Sequence, residues 1–123
     1  MKILVINGHP DKESYCQAIF QTIVETIDPN HHELKVISLN EEDFDAVLRY
    51  GYRKRMEEDP FILRSQEWIQ WADHLIFVYP IWWSSMPSLM KGWIDRVFTP
   101  GIAYSANDQG SFIWNYLRGK QFK

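Results

Sequence analysis

Hydrophobic positions along this chain alternate between short unbroken runs and longer periodic stretches. Ile3 to Ile6 is a continuous aliphatic run, and a second run from His74 to Tyr79 ends abruptly at Pro80. Runs of this kind are typical of strands buried on both faces of a parallel sheet. The segment 33–39 alternates only in part, which predicts a strand at the edge of the sheet.

A helical period follows the first run. Asn7-Gly8-His9-Pro10-Asp11 has the composition of a turn. Ser14, with Gln17 three residues later, forms a capping-box pattern that predicts a helix start. The apolar positions that follow recur on one helical face and end at Asp28-Pro29-Asn30; they are Ile19, Phe20, Ile23, Val24 and Ile27.

Two further helices are predicted. One begins at Asp59-Pro60, an N-cap followed by proline at the first helical position, and carries Ile62, Gln66, Ile69 and Ala72. The other opens at Pro87, closes at Thr99-Pro100-Gly101, and carries Leu89, Met90, Trp93, Ile94 and Val97. Residues 40–59 are charged and mixed, and we expect a surface excursion that is partly helical.

The order β-α-β-loop-α-β-α predicts an α/β fold with parallel strands and right-handed crossovers. No linker divides the chain, so we expect one domain over residues 1–123. The outer edge of the third strand would be apolar and unpaired, which favours cover by another segment or chain. Residues 119–123 look like a turn and the start of such a strand.

Composition narrows the function classes. Hydrophobic residues make up 46% of the 123 residues, and aromatic residues 15%, with six tryptophans, which suggests stacking surfaces. A net charge of −3 argues against nucleic acid and anionic membranes as partners. The single Cys16 favours a reducing, cytoplasmic setting. The apolar runs are too short for a signal peptide or a membrane span.

Metal binding is not expected. The His31-His32 pair lacks a third ligand at a usual spacing and is interpreted as a solvated turn. A dinucleotide-binding domain is also disfavoured, because no G-x-G-x-x-G follows the first strand.

The richest chemistry follows the run that ends at Pro80. Two tryptophans and two serines come directly after it, at the carboxyl end of a predicted strand, where open α/β sheets bind their ligands. Indole faces beside small hydroxyl residues and free backbone amides suit a flat heteroaromatic ring. A flavin is the natural candidate.

These residues resemble the NAD(P)H:quinone oxidoreductase family of flavodoxin-like folds, which includes the DT-diaphorase type and bacterial quinone reductases. The resemblance covers nearly the whole chain. It implies a flavodoxin-like three-layer α/β/α fold with strand order 2-1-3, shortened before or at its fourth strand. The matching segments are Ile3 to Pro10 with Ser14, 72–80, Trp83, Pro87, Lys91-Gly92-Trp93-Ile94-Asp95-Arg96-Val97-Phe98, and Gly101-Ile102-Ala103-Tyr104.

The resemblance places a flavin site on two loops. Residues 9–17 would take the flavin phosphate or diphosphate at a helix N-terminus, through His9, Ser14, Tyr15, Cys16 and Gln17. Residues 80–84 would hold the isoalloxazine ring, through Pro80, Ile81, Trp82, Trp83 and Ser84. Tyr104 would line the substrate pocket near the two-fold axis of a homodimer.

The implied activity is two-electron transfer from NAD(P)H through FMN or FAD to a quinone, nitro or azo compound. Three differences between this sequence and the family pattern affect the expected activity. Cys16 stands where the family often has asparagine, Trp82 stands where a polar residue is common, and the family's glycine-rich loop after the fourth strand is absent. We therefore expect weak or absent flavin binding and little reductase activity from the isolated chain.

Two other function classes stay open. One is a non-catalytic remnant of the fold that associates with itself or with a fuller homologue. The other is an electron-carrier flavodoxin, which is disfavoured because the first turn lacks a hydroxyl- and glycine-rich phosphate loop.

Overall fold

A computed structural model of the chain describes residues 1–102 and the backbone of three two-residue strands beyond them. Strands and helices alternate along the chain, as the hydrophobic pattern predicts. The strands are β1 (Lys2–Asn7), β2 (Glu33–Ser38), β3 (His74–Val78), β4 (Ser105–Ala106), β5 (Phe112–Ile113) and β6 (Gln121–Phe122). The helices are α1 (Tyr15–Thr26), α2 (Pro60–Trp71) and α3 (Ser88–Val97), with one 3₁₀ turn at Leu39–Glu41.

Two helix starts form as their sequences predict. The Ser14 hydroxyl accepts a hydrogen bond from the Gln17 N–H at 3.1 Å, and the Asp59 carboxylate accepts one from the Phe61 N–H at 2.8 Å. Each cap satisfies a backbone donor that the first helical turn leaves unpaired. Pro60 occupies the first position of α2, where its missing N–H costs nothing.

The main sheet is parallel, with β1 at its centre. Strand β1 pairs with β2 on one side and β3 on the other, which confirms the predicted order 2-1-3. Strand β6 adds to the outer side of β3 in parallel, with His74 opposite Gln121 and Leu75 opposite Phe122, so the predicted strand near the chain end is confirmed and pairs with the first two residues of that edge. The antiparallel pair of β4 and β5 was not predicted.

Helices cover both faces of this sheet. Alternate residues of β1 enter two separate apolar clusters, as side chains on a strand must. Ile3 and Val5 lie in a cluster with Phe20 of α1. Leu4 and Ile6 lie in the larger cluster, which also contains Ile62, Ile69, Trp93 and Val97 of α2 and α3. The predicted three-layer α/β/α arrangement is therefore confirmed.

Two details of the predicted helix faces are wrong. Ile19 is exposed, because the packed stripe of α1 runs instead through Phe20, Ile23, Val24 and Ile27. In α2, the fully buried Ser65 belongs to the inner face, where its hydroxyl accepts a 3.0 Å hydrogen bond from the Trp93 indole N–H. Because Ser65 is small and polar, the periodicity of apolar residues does not predict its burial.

Residues 42–59, called here the connecting segment, contain no helix, so the partly helical prediction holds only for the 3₁₀ turn before them. The segment lies against α2 and α3. A Cβ atom added to Gly92 would fall 2.1 Å from the Ala46 carbonyl oxygen. The Arg96 guanidinium donates to the Asp45 carbonyl, and Arg64 donates to Glu42 at 2.6 Å.

Candidate functional site

Two loops meet where β1 and β3 end side by side. Asn7 is the register partner of Val78, and the Gly8 N–H donates to the Val78 carbonyl at 2.8 Å. A Cβ atom at Gly8 would come within 2.4 Å of the Met90 sulfur, so a larger residue there would require the Met90 side chain to move. The first loop (residues 8–14) and the tryptophan turn (residues 80–85) therefore lie next to each other, and the space between them is called here the crevice.

The tryptophan turn has a strained backbone. Trp82 and Ser85 exchange two backbone hydrogen bonds of 2.9 and 3.0 Å, and the two residues between them, Trp83 and Ser84, have φ values of 51° and 60°. Positive φ at both central positions is the mark of a type I′ turn, which favours asparagine and glycine. The turn leaves the Trp83 side chain fully exposed, at 101% of its reference area.

His9 and Trp82 join the two sides of the crevice. Their ring centroids are 5.3 Å apart and the ring planes meet at 79°, an edge-to-face geometry favourable for aromatic rings. The contact places the Trp82 indole against the first loop.

Local hydrogen bonds fix the shape of the first loop. His9 Nδ1 accepts from the Asp11 N–H at 2.9 Å, and Asp11 in turn accepts from the N–H groups of Glu13 at 3.0 Å and Ser14 at 3.3 Å. Because Nδ1 is an acceptor, a neutral His9 ring carries its proton on Nε2. His9 therefore offers a side-chain donor at the crevice.

The amino end of α1 offers two more donors. Ser14 caps only the Gln17 N–H, and among the described residues no hydrogen bond involves the N–H groups of Tyr15 or Cys16. Unpaired N–H groups at a helix start, together with the helix dipole, favour an anion. The capping box is half formed, because the Gln17 side chain turns away from the cap.

Gln17 instead joins a half-buried polar cluster. Its Oε1 atom accepts from Asn7 Nδ2 at 2.7 Å and from Asn40 Nδ2 at 3.1 Å. The sequence analysis missed both asparagines. Asn7 carried a signal, because it is the polar residue that ends a buried strand at the ligand-binding edge, whereas nothing in the local pattern around Asn40 pointed to the crevice.

The predicted site residues are thus distributed around one crevice. Tyr15, Ile81, Trp82, Trp83 and Ser84 are exposed there, and Cys16 is a half-buried free thiol. The remaining ones, His9, Ser14, Gln17 and Pro80, are half-buried. Tyr104 lies outside the described residues.

A separate cavity of about 470 Å³ lies at the other end of α3, between the connecting segment and the helices. Its described lining includes Leu48, Ile62, Arg96 and Ile102 and contains no residue of the first loop or the tryptophan turn. Within the described residues, no group of three or more His, Cys, Asp or Glu side chains is arranged to hold a metal ion.

The sequence profile of the family described as "Flavodoxin-like fold" matches residues 1–122. The chain belongs to this family. The resemblance to NAD(P)H:quinone oxidoreductases is confirmed by relatives and by solved structures. NAD(P)H dehydrogenase [quinone] 1 of Cavia porcellus is 29% identical, over 90% of this chain and 49% of its own length.

Two solved structures share the fold. A protein of Streptococcus mutans superposes with a TM-score of 0.85 at 33% identity, over 99% of this chain and 65% of its own. An NAD(P)H:quinone oxidoreductase of Methanothermobacter marburgensis gives 0.72 at 28% identity, over 85% of this chain and 57% of its own. The chain spans about half the length of the first curated relatives it matches.

None of the helices in the described part of the chain has the length and apolar character needed to cross a bilayer.

Proposed function

We propose that this chain binds a flavin, FMN or FAD, in the crevice between the first loop and the tryptophan turn, as part of an NAD(P)H:quinone oxidoreductase. The observation that carries the proposal is the joint placement of an anion-binding helix start and an exposed indole on neighbouring strand ends. Each matches one end of a flavin nucleotide.

The phosphate end fits the start of α1. The Tyr15 and Cys16 N–H groups have no described partner, and a neutral His9, whose Nδ1 accepts from the Asp11 N–H, adds an Nε2–H donor from the loop that leads into this helix start. Backbone amides do not depend on side-chain identity, so the replacement of the family's asparagine by Cys16 leaves these two donors in place. The Ser14 hydroxyl already accepts from Gln17, and its own proton remains available for a phosphate oxygen.

The ring end fits the tryptophan turn. Burial of a flat heteroaromatic ring against the exposed Trp83 indole would remove apolar surface from water on both partners. The antiparallel bridge between Trp82 and Ser85 holds the turn rigid before a ring arrives. Strain stored in residues 83 and 84 is typical of ligand-holding positions.

A bound flavin supplies two-electron chemistry, accepting hydride from NAD(P)H and passing reducing equivalents to a quinone, nitro or azo compound. The residues of the crevice orient the ring and hold the phosphate. No residue is assigned a catalytic role. The names of the Cavia porcellus and Methanothermobacter marburgensis proteins specify NAD(P)H and quinone for those proteins, which supports the same donor and acceptor class here.

Self-association is part of the proposal. Tyr15, Ile81 and Trp83 expose apolar side chains around the crevice, and contiguous exposed apolar surface marks interaction sites. A homodimer that covers this surface would also complete the substrate pocket that the family resemblance places near Tyr104. The same exposed apolar surface also fits the alternative, a non-catalytic chain that associates with itself. For both alternatives we propose a cytoplasmic location.

Titration of FMN and FAD against the purified chain, followed by flavin fluorescence, tests flavin binding. We expect saturable binding with dissociation constants above about 1 μM. Trp83→Ala should weaken binding by about tenfold, the upper range for one aromatic contact, whereas the control Tyr52→Ala removes an exposed ring far from the crevice and should change nothing. Absence of saturable binding would favour the non-catalytic alternative, and quinone turnover with submicromolar affinity would contradict the expected weakness.

A further inference from the structure

Three amide or hydroxyl side chains from three different elements form a hydrogen-bonded cluster at the first loop, and two of them donate to Gln17. Asn7 ends β1, Ser38 ends β2, and Asn40 lies in the 3₁₀ turn that follows. Asn7 Nδ2 reaches Gln17 Oε1 at 2.7 Å and Ser38 Oγ at 3.4 Å. Asn40 donates to Gln17 Oε1 at 3.1 Å, and its Oδ1 accepts from the Ser38 hydroxyl at 3.0 Å. The Asn7 and Asn40 amides and the Ser38 hydroxyl each donate within this cluster.

Two members of this cluster form hydrogen bonds to the backbone of His9, one at its N–H and one at its carbonyl. The His9 N–H donates to Asn7 Oδ1 at 3.1 Å, and the His9 carbonyl accepts from Asn40 Nδ2 at 3.1 Å. Asn40 is 31 residues from His9 in sequence, so this bond anchors the first loop to the end of another strand. No other hydrogen bond to the His9 carbonyl occurs among the described residues.

We propose that Asn40 is a positioning residue that sets the affinity of the crevice for the flavin phosphate, without touching the phosphate itself. The inference rests on the proposed function. A loop already held in its binding shape loses less conformational freedom when a ligand arrives, which raises affinity. Loss of the Asn40 amide would free the His9 carbonyl, and the first loop, which leads into the start of α1, would lose its bond to the end of β2.

The role is specific to one end of the ligand. Asn40 is tied to His9 and Gln17, whereas the tryptophan turn is held by its own bridge between Trp82 and Ser85. Substitution at Asn40 should therefore weaken recognition of the phosphate and leave recognition of the ring intact. A merely structural role would weaken both together.

The test compares FMN with riboflavin, which has the ring but no phosphate. Dissociation constants of both are measured by flavin fluorescence for the full chain, for Asn40→Ala, and for Asn40→Asp, which keeps the size but lacks the amide donor. Asn30→Asp, at an exposed turn beyond the opposite end of the sheet, controls only for the change in net charge, so Asn40→Ala, which adds no charge near the phosphate, decides the outcome. Thermal unfolding of each variant checks that it is folded.

We expect the preference for FMN over riboflavin to fall by about tenfold in both Asn40 variants, with riboflavin affinity changed by less than about twofold. Asn30→Asp should keep the preference of the wild type. An unchanged preference, or equal losses for both ligands, overturns the inference while the proposed function stands. A wild-type chain that binds neither ligand overturns the proposed function, and the inference with it.

Discussion

The imidazole of His9 and the indole of Trp82 meet edge to face across the crevice, with ring centroids 5.3 Å apart. One ring comes from the loop after β1 and the other from the turn after β3. The contact therefore brings the two predicted halves of a flavin site side by side. It also gives His9 two separable roles, since the ring packs against Trp82 while Nε2–H stays available as a donor.

These roles can be separated by substitution. His9→Phe keeps an aromatic edge against Trp82 but removes the Nε2–H donor and the Nδ1 acceptor of the Asp11 N–H, and His9→Ala removes the ring as well. Because a hydrogen bond to a charged group contributes about 1.5–3 kcal/mol, we expect both variants to bind FMN at least about tenfold more weakly than the wild type. Flavin fluorescence titration measures the loss. Recovery of wild-type affinity in His9→Phe would show that ring packing, and not the donor, is what matters.

The positive φ angles of the tryptophan turn predict a stabilising substitution. Ser84 has φ 60°, a conformation that glycine adopts without steric cost. Ser84→Gly should raise the free energy of unfolding by about 1 kcal/mol. The matched control is Ser85→Gly, at the neighbouring position without a positive φ, which should lower stability by about 0.5–1 kcal/mol. Urea denaturation measures both free energies of unfolding. An equal loss of stability at the two positions would show that the backbone at Ser84 is not strained.

Gly92 is predicted to be intolerant of any side chain. A Cβ atom there would overlap the Ala46 carbonyl oxygen and lie 2.7 Å from the Ala46 Cβ, so Gly92→Ala must push the connecting segment away from α3. We expect a loss of about 1–3 kcal/mol in unfolding free energy despite alanine's higher helix propensity. Ser88→Ala, at an exposed position of the same helix, should be near neutral. Stabilisation by Gly92→Ala would show that the segment does not pack there.

Asp45 links stability to pH. A hydrogen bond from the Arg49 side chain, and then one from the Val47 N–H, hold the pKa of the Asp45 carboxyl below its ordinary value. A carboxyl whose pKa is lowered by folding stabilises the protein above its unfolded pKa of about 3.9 and loses that contribution as pH falls. The melting temperature of Asp45→Asn should therefore lie below that of the wild type at pH 7, with the difference shrinking below about pH 4.

The exposed Asp43→Asn changes the net charge equally and is the control for this pH series. Its melting temperature should follow the wild type more closely than that of Asp45→Asn at pH 7. A difference between wild type and Asp45→Asn that grows on acidification would contradict the assigned sign.

The sequence predicted the layers of this fold because its strongest signals are local. Continuous runs at β1 and β3, the Ser14 and Asp59 caps, and the proline before α3 each determine one element from neighbouring residues alone. The aromatic turn was also predictable, since Trp82 and Trp83 follow a strand end. The features that the sequence did not predict depend on contacts between residues that are distant in sequence. The Trp93–Ser65 hydrogen bond cannot be recognised from the periodicity of apolar residues. The same is true of the close packing of Ala46 against Gly92.

The candidate site shows the same division. Ser14 was identified as a cap from its spacing to Gln17, but the Gln17 side chain turns to Asn7 and Asn40, which approach from other strands. The strand register and the burial of these residues determine which partners the Gln17 side chain takes. Both are defined only after the sheet has formed.

The central claim is that a flavin lies between the first loop and the tryptophan turn. The most direct test is to record amide chemical shifts of the isotope-labelled chain while FMN is added. The account predicts that the largest changes occur at the Tyr15 and Cys16 amides and in residues 82–85, with residues 29–33 beyond the opposite end of the sheet unchanged. Changes centred instead on the cavity lined by Leu48, Ile62 and Arg96 would contradict it.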